Sequence, residues 1–152
     1  MTTWRICKPK YEKTAFDGAG AASYPGRWNK HGHYVVYTSD SMSLAVLEIL
    51  VNVTTQMLPL YRLFSCSFED TLITEIDTLP AGWRQLVNPG WFPLQELGSS
   101  WYESCRSAVL RVPSAVIPDQ NNYILNVRHP DFSRIAFYPP RDLATDPRLI
   151  KI

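Results

Sequence analysis

Apolar and polar positions along this chain fall into short runs, and the runs predict elements of both kinds. Trp4-Arg5-Ile6 alternates with polar neighbours and predicts a first strand, with Arg5 on the face opposite Trp4 and Ile6. Tyr34 to Thr38 is rich in β-branched and aromatic residues and predicts the clearest strand. Val35 and Tyr37 would share one face, Tyr34 and Val36 the other. Ser39 or Ser41 can cap a helix that runs to about Asn52. Its apolar residues, Leu44 to Leu47 and Ile49 to Val51, surround it, so it reads as buried. Pro59 opens a strand over Leu60 to Phe68, and Leu72 to Ile76 follows. Leu79 to Trp83 turns into a short helical segment, and Gln95 to Cys105 is a second helix. Trp101 and Tyr102 have the spacing of core residues on it. Ala108 to Val112 is a strand broken at Pro113 and resumed over Ser114 to Ile117. After a turn at Asp119 to Asn122, Tyr123 to Leu125 is short and apolar, and Arg134 to Tyr138 is the last strand. The tail from Pro139 onward reads as loosely structured.

Twelve prolines keep these elements short, which favours an α+β domain over a helical bundle. The 152 residues are a usual length for one domain, residues 1 to 152, and show no linker or repeat. At 45% hydrophobic the chain is not of the disordered class. A net charge of +1 with scattered basic residues points to neither nucleic acid nor an anionic membrane as a direct partner. Cys7, Cys66 and Cys105 are odd in number and far apart, which argues against a disulfide framework. No signal peptide and no membrane span is readable, so a cytoplasmic location is expected.

The candidate chemistry gathers between Gly26 and Glu48. The loop Gly26-Arg27-Trp28-Asn29 sets a cation beside an aromatic, the strand ends near Tyr37, and the helix places Glu48 within an apolar run. A poorly solvated carboxylate needs a cationic or hydrogen-bonding partner, or a pocket. A structural ion pair with an arginine is the plain alternative for Glu48, and an exposed strand position is the plain one for Arg5. Ser114, at the proline break, is either a bulge residue satisfied by backbone or a site residue. The segment Thr14 to Gly26 is a long glycine-bearing loop, without the pattern of a P-loop or a dinucleotide fingerprint. His31 and His33 lack a nearby acidic third ligand, so no metal is expected. Ser114, His129 and Asp131 lack the nucleophile-elbow context of a hydrolase triad.

A set of ordered pieces carries a resemblance. They are Gly26-Arg27-Trp28-Asn29, Gly32, Val35-Val36-Tyr37-Thr38-Ser39, Leu44-Ala45 with Leu47-Glu48, and Leu79-Pro80 with Trp83. Then come Leu110-Arg111-Val112-Pro113-Ser114-Ala115-Val116, Asn122 with Leu125-Asn126, His129-Pro130, and Asp146-Pro147-Arg148. Together these resemble the RES-domain toxins of bacterial type II toxin–antitoxin systems, named for an arginine, a glutamate and a serine. Val127 departs from the proline many members carry after the asparagine. By match the name residues are Arg27, Glu48 and Ser114, with Arg5 and Tyr37 at two further pocket positions and Asn122 beside them.

The resemblance implies an ADP-ribosyltransferase-like fold of two small mixed or antiparallel sheets with short flanking helices. It implies NAD+ as substrate, cleaved at the nicotinamide–ribose bond by hydrolysis or phosphorolysis so that growth arrests, with no prosthetic group. Glu48 would stabilise the sugar cation, Arg27 and Arg5 would bind pyrophosphate, Tyr37 would stack on nicotinamide, and Ser114 and Asn122 would hold the ligand. It implies an Xre-type antitoxin that covers the site and alone brings nucleic acid near, with a homodimer within the complex. Two other readings stand beside this one: ADP-ribosyl transfer to a specific protein or nucleotide, and a silent antitoxin-binding module.

Overall fold

The computed structural model describes residues 1 to 150. Seven strands form one sheet: β1 (Thr2–Cys7), β2 (Val35–Ser39), β3 (Arg62–Ser67), β4 (Ile73–Glu75), β5 (Val109–Pro113), β6 (Asn121–Asn126) and β7 (Ala136–Asp142). Their order is β4-β5-β6-β2-β1-β3-β7. Every pairing is antiparallel except β4 with β5. Three α-helices accompany the sheet: α1 (Ala19–Ser23), α2 (Met42–Leu50) and α3 (Phe92–Ser104).

The α+β class stands, but the two expected sheets are one. The physical reason for the difference is local. The halves β4-β5-β6-β2 and β1-β3-β7 meet through a single residue pair, Trp4 with Ser39. Beyond that pair β1 and β2 diverge, and α2 packs against both of them at the opening. The sheet is therefore nearly two, and the gap between its halves becomes a cleft.

Both faces of the β5-β6-β2 half are covered. One carries Trp28, Val35, Leu94, Trp101, Leu110, Val112 and Ile124, which seat α3. The other carries Val36, Cys66, Phe68, Leu72, Val109, Tyr123 and Leu125. Val35 and Val36 thus point to opposite faces, as period-two alternation requires. Trp101 is core, as its spacing predicts.

Several boundaries differ from the sequence expectation. Pro59 sits inside a 3-10 turn, Thr55–Leu60, and the strand after it begins only at Arg62. Ser114 to Ile117 does not resume a strand: the Ser114 hydroxyl accepts the backbone N–H of Val116 and of Ile117, both at 3.0 Å, and closes a turn. The proline-rich tail is strand as far as Asp142, because β7 is an edge strand and Pro139 and Pro140 fall at the register shift opposite Leu63 to Ser65, where the ladder is interrupted. Helix α2 buries only one side, through Leu44 and Ala45. Met42, Leu47 and Val51 are exposed, and Met42, Val46, Leu47 and Leu50 line an open apolar groove of about 680 Å³ with Leu58, Leu63 and Leu149.

A candidate active site in the sheet opening

The loop before β2 is fixed by one side chain. Asn29 is 1% exposed. Its Oδ1 accepts the Gly26 N–H at 2.9 Å and the Tyr37 hydroxyl at 2.7 Å. Its Nδ2 donates to the carbonyls of Ala21 at 2.9 Å and Lys30 at 3.0 Å. Tyr37 in turn accepts the Trp28 N–H at 3.1 Å. Burial pushes the Tyr37 hydroxyl well above the ordinary phenol range, partly offset by that backbone bond and by the charge of Arg27. The hydroxyl is thus committed to the loop, and the ring is what Tyr37 presents to the cleft.

Two glycines make the packing possible. A Cβ on Gly26 would lie 2.8 Å from the Tyr37 hydroxyl, and one on Gly98 would lie 1.8 Å from the Trp28 carbonyl oxygen. Helix α3 can therefore press against the arginine loop only because position 98 has no side chain. Gln95, one turn earlier on α3, donates to the Gly26 carbonyl at 2.9 Å.

The cleft has two lobes. One, of about 310 Å³, is lined by Gly26, Arg27, Trp28, Trp91 and Val116 among others. The second, of about 320 Å³, is lined by Arg5, Thr38, Ser39, Ala45 and Ile49. Tyr37, Glu48, Asn52 and Asn122 border both. The structure thus brings Arg5, Arg27, Tyr37, Glu48 and Asn122 to one cleft, with Ser114 bonded to Glu48 at its edge.

Glu48 lies at the junction. Its Oε1 accepts the Ser114 hydroxyl at 2.7 Å and the Asn122 Nδ2 at 2.6 Å, bonds of charge-assisted length. Among the described residues it forms no ion pair, so the structural salt bridge weighed from sequence is not what holds it. The bulge reading of Ser114 is half right: its oxygen accepts backbone amides while its proton goes to the carboxylate.

The arginines flank this carboxylate. Arg27 donates through Nη1 to the carbonyls of Leu86 at 3.0 Å and Trp83 at 3.4 Å, and its guanidinium lies 5.2 Å from the Trp91 ring centroid. Burial lowers its pKa, and the negative charge of Glu48 partly restores it. Arg5 donates through Nη1 to the Tyr37 carbonyl at 3.1 Å, bridging the strands where they part. Its Nε is buried without a protein partner. Burial lowers this pKa too, with Cys7 and Asp17 pulling it back. Arginine remains charged through shifts of this kind. An exposed strand position is thus not what Arg5 occupies.

Sequence reasoning did not single out Asn29, Asn52 or Trp91. Asn29 stood within the arginine motif, in the loop that leads to β2. Asn52 lies four residues after Glu48, in the turn that follows α2, and i,i+4 spacing from the helix end marks it as a neighbour. No local pattern points to Trp91. The histidines lie elsewhere: His33 stacks on Tyr102 at 4.4 Å and approaches Glu103, and His129 bonds the Cys105 carbonyl and the Asp131 amide. Ser114 and His129 share no bond. Among the described residues no cluster of three His, Cys, Asp or Glu side chains could hold a metal, and no helix is long and apolar enough to cross a membrane.

The family model described as the RES domain matches residues 2–146. A protein named Toxin Res from Photorhabdus laumondii subsp. laumondii is 40% identical over 155 residues, covering 99% of this chain and 98% of its own. A Sphingobium protein named Prs ADP-ribosylating toxin is 36% identical over 161 residues, covering 99% of each. Among solved structures, the M. tuberculosis MbcT–MbcA toxin–antitoxin complex contains a chain similar in fold. Its TM-score is 0.75 at 19% identity, over 93% of this chain and 83% of that one.

Proposed function

This chain belongs to the RES-domain family, and from that premise we propose that it is the toxin of a toxin–antitoxin pair that consumes NAD+. The observation that carries the reading is Glu48, pinned through one oxygen where the two lobes meet, with Arg5 and Arg27 on either side. Cleavage of the nicotinamide–ribose bond sends the bonding electron pair to the pyridinium nitrogen. Nicotinamide leaves neutral and needs no general acid. The ribose is left with oxocarbenium character, and a fixed, half-buried carboxylate beside it stabilises that charge.

Each neighbour then has a task. The forked donors of Arg27 suit the pyrophosphate, and the unpartnered Arg5 Nε offers a further donor to the anionic part of the ligand. The Tyr37 ring offers a face to nicotinamide. Ser114 and Asn122 hold the carboxylate in place. The sugar cation is captured by water, by phosphate or by an acceptor nucleophile, each losing a proton to solvent. Transfer to an acceptor has its own support in the name of the Sphingobium relative. An antitoxin partner that covers the cleft is proposed by analogy with the MbcT–MbcA complex. NAD+ depletion in the bacterial cytoplasm would then arrest growth whenever the antitoxin is lost.

The test is nicotinamide release from NAD+ by the purified chain, with Glu48→Gln as the paired variant. Glutamine keeps the shape and removes the charge, so release should fall at least 100-fold. Free ADP-ribose, its 1-phosphate or a labelled acceptor identifies the nucleophile. Release by a folded Glu48→Gln protein at the unaltered rate would refute the assignment.

A further inference from the structure

The hydrogen bonds that hold Glu48 extend past Asn122 to a further residue. Ser39, at the end of β2, is 5% exposed. It faces Asn122 across the antiparallel pair of β2 and β6. Its hydroxyl donates to Asn122 Oδ1 at 2.8 Å, while Asn122 Nδ2 donates to Glu48 Oε1 at 2.6 Å.

We propose that Ser39 is a positioning residue for the reaction, setting the orientation of the Asn122 amide that holds Glu48. The inference deepens the reading of the site above and rests on it. A side-chain amide is nearly symmetric in shape but not in chemistry: one end donates, the other only accepts. Turned over, Asn122 would set a carbonyl oxygen against the Glu48 carboxylate, and a held carboxylate would become a repelled one. In the present orientation the Ser39 proton has Oδ1 as its acceptor while Nδ2 meets the carboxylate; turned over, Ser39 could bond only by accepting and its proton would lose this partner, so the hydroxyl adds to the preference that the carboxylate sets.

The frame around the pair is stiff. The adjacent Asp40 donates its N–H to the Asn121 carbonyl at 3.1 Å and accepts the Asn121 N–H through Oδ2 at 3.0 Å. The ends of β2 and β6 are thereby clasped beside the relay. Ser114 supplies the second hold on the same carboxylate oxygen, and its lone pairs are taken by the amides of Val116 and Ile117. Both donors to Oε1 are thus themselves oriented, and neither acts on Oε2. On this reading Oε2 is left to face the developing charge on the sugar.

The test compares Ser39→Ala and Ser39→Thr with the unaltered chain by two independent readouts. Nicotinamide-release kinetics should show kcat about 10-fold lower in Ser39→Ala, with KM for NAD+ changed less than twofold. Threonine restores the hydroxyl and should recover most of kcat. The second readout is the side-chain amide of Asn122 by 15N NMR, assigned by its loss in Asn122→Ala. Its bonded proton should resist solvent exchange in the unaltered chain and in Ser39→Thr, and lose that protection in Ser39→Ala. Unchanged protection and kcat in Ser39→Ala would overturn the proposal. So would a raised KM at constant kcat, because Ser39 would then touch the substrate. If the NMR pattern is found but no variant, nor the unaltered chain, releases nicotinamide, the order of the hydrogen bonds stands and the NAD+ reading falls.

Discussion

Replacing Asn29 with alanine should loosen the arginine loop, at a cost the structure allows one to work out. Four hydrogen bonds end on this one amide, to Gly26, Tyr37, Ala21 and Lys30. A neutral bond of this kind contributes about 1 kcal/mol net, which gives about 4 kcal/mol for the set. That is a large part of the roughly 5–15 kcal/mol available to a domain. At about 3 °C per kcal/mol for this size, melting should fall by about 12 °C. Asn29→Asp is the informative companion. It keeps an acceptor for Gly26 and Tyr37 but sets oxygen against the Ala21 and Lys30 carbonyls, so it should not rescue. Tyr37→Phe removes only the hydroxyl and should cost about 1–2 kcal/mol. The double variant Asn29→Ala/Tyr37→Phe should then be less destabilised than the sum of the two singles, because they share a bond. Thermal melts followed by circular dichroism read all four. Asn29→Ala melting within 3 °C of the unaltered chain would refute the view that this amide organises the loop.

Other outcomes follow from single contacts. Gly98→Ala should destabilise by at least about 2 kcal/mol and raise KM for NAD+, because its methyl group meets the Trp28 carbonyl and pushes the neighbouring Arg27 out of line. Melting and NAD+ kinetics measured together check it, and a silent Gly98→Ala would show that α3 does not set the loop position. Cys66 makes stability pH-dependent on the alkaline side. Burial pushes its thiol up to about 11, opposed by Thr3 and Arg5, against an ordinary value of 9.0. Well below pH 9 the thiol is protonated whether the chain is folded or not, and contributes no dependence. Between about pH 9 and 11 the unfolded chain loses the proton and the folded one keeps it, so stability falls as pH rises. Urea melts across that range should show a slope that Cys66→Ala reduces.

What the sequence made legible and what it hid divide along one physical line. Glu48 was legible because an acidic residue inside Leu44 to Val51 conflicts with its own surroundings, and a conflict of that kind marks a site. Strand β2 was legible because its alternation and its β-branched residues are local properties. The resemblance named Ser114 and Asn122 as site positions, but their bonds to Glu48 were hidden. Ser114 lies 66 positions and Asn122 74 positions away, and nothing in either local stretch says that both donate to the same oxygen. The apolar surround of α2 misled in one respect: it predicted burial on every side, whereas only the side carrying Leu44 and Ala45 meets the sheet. The error has a consequence for the site. A fully buried helix would have closed over its carboxylate, whereas a helix laid across the parting of β1 and β2 holds Glu48 at the edge of a cleft. The same single pairing, Trp4 with Ser39, joins the two halves of the sheet and ends beside the hydroxyl that orients Asn122. The seam that opens the cleft and the relay that aims its carboxylate therefore share a residue. A substitution that shifts the seam should disturb catalysis before it disturbs the fold.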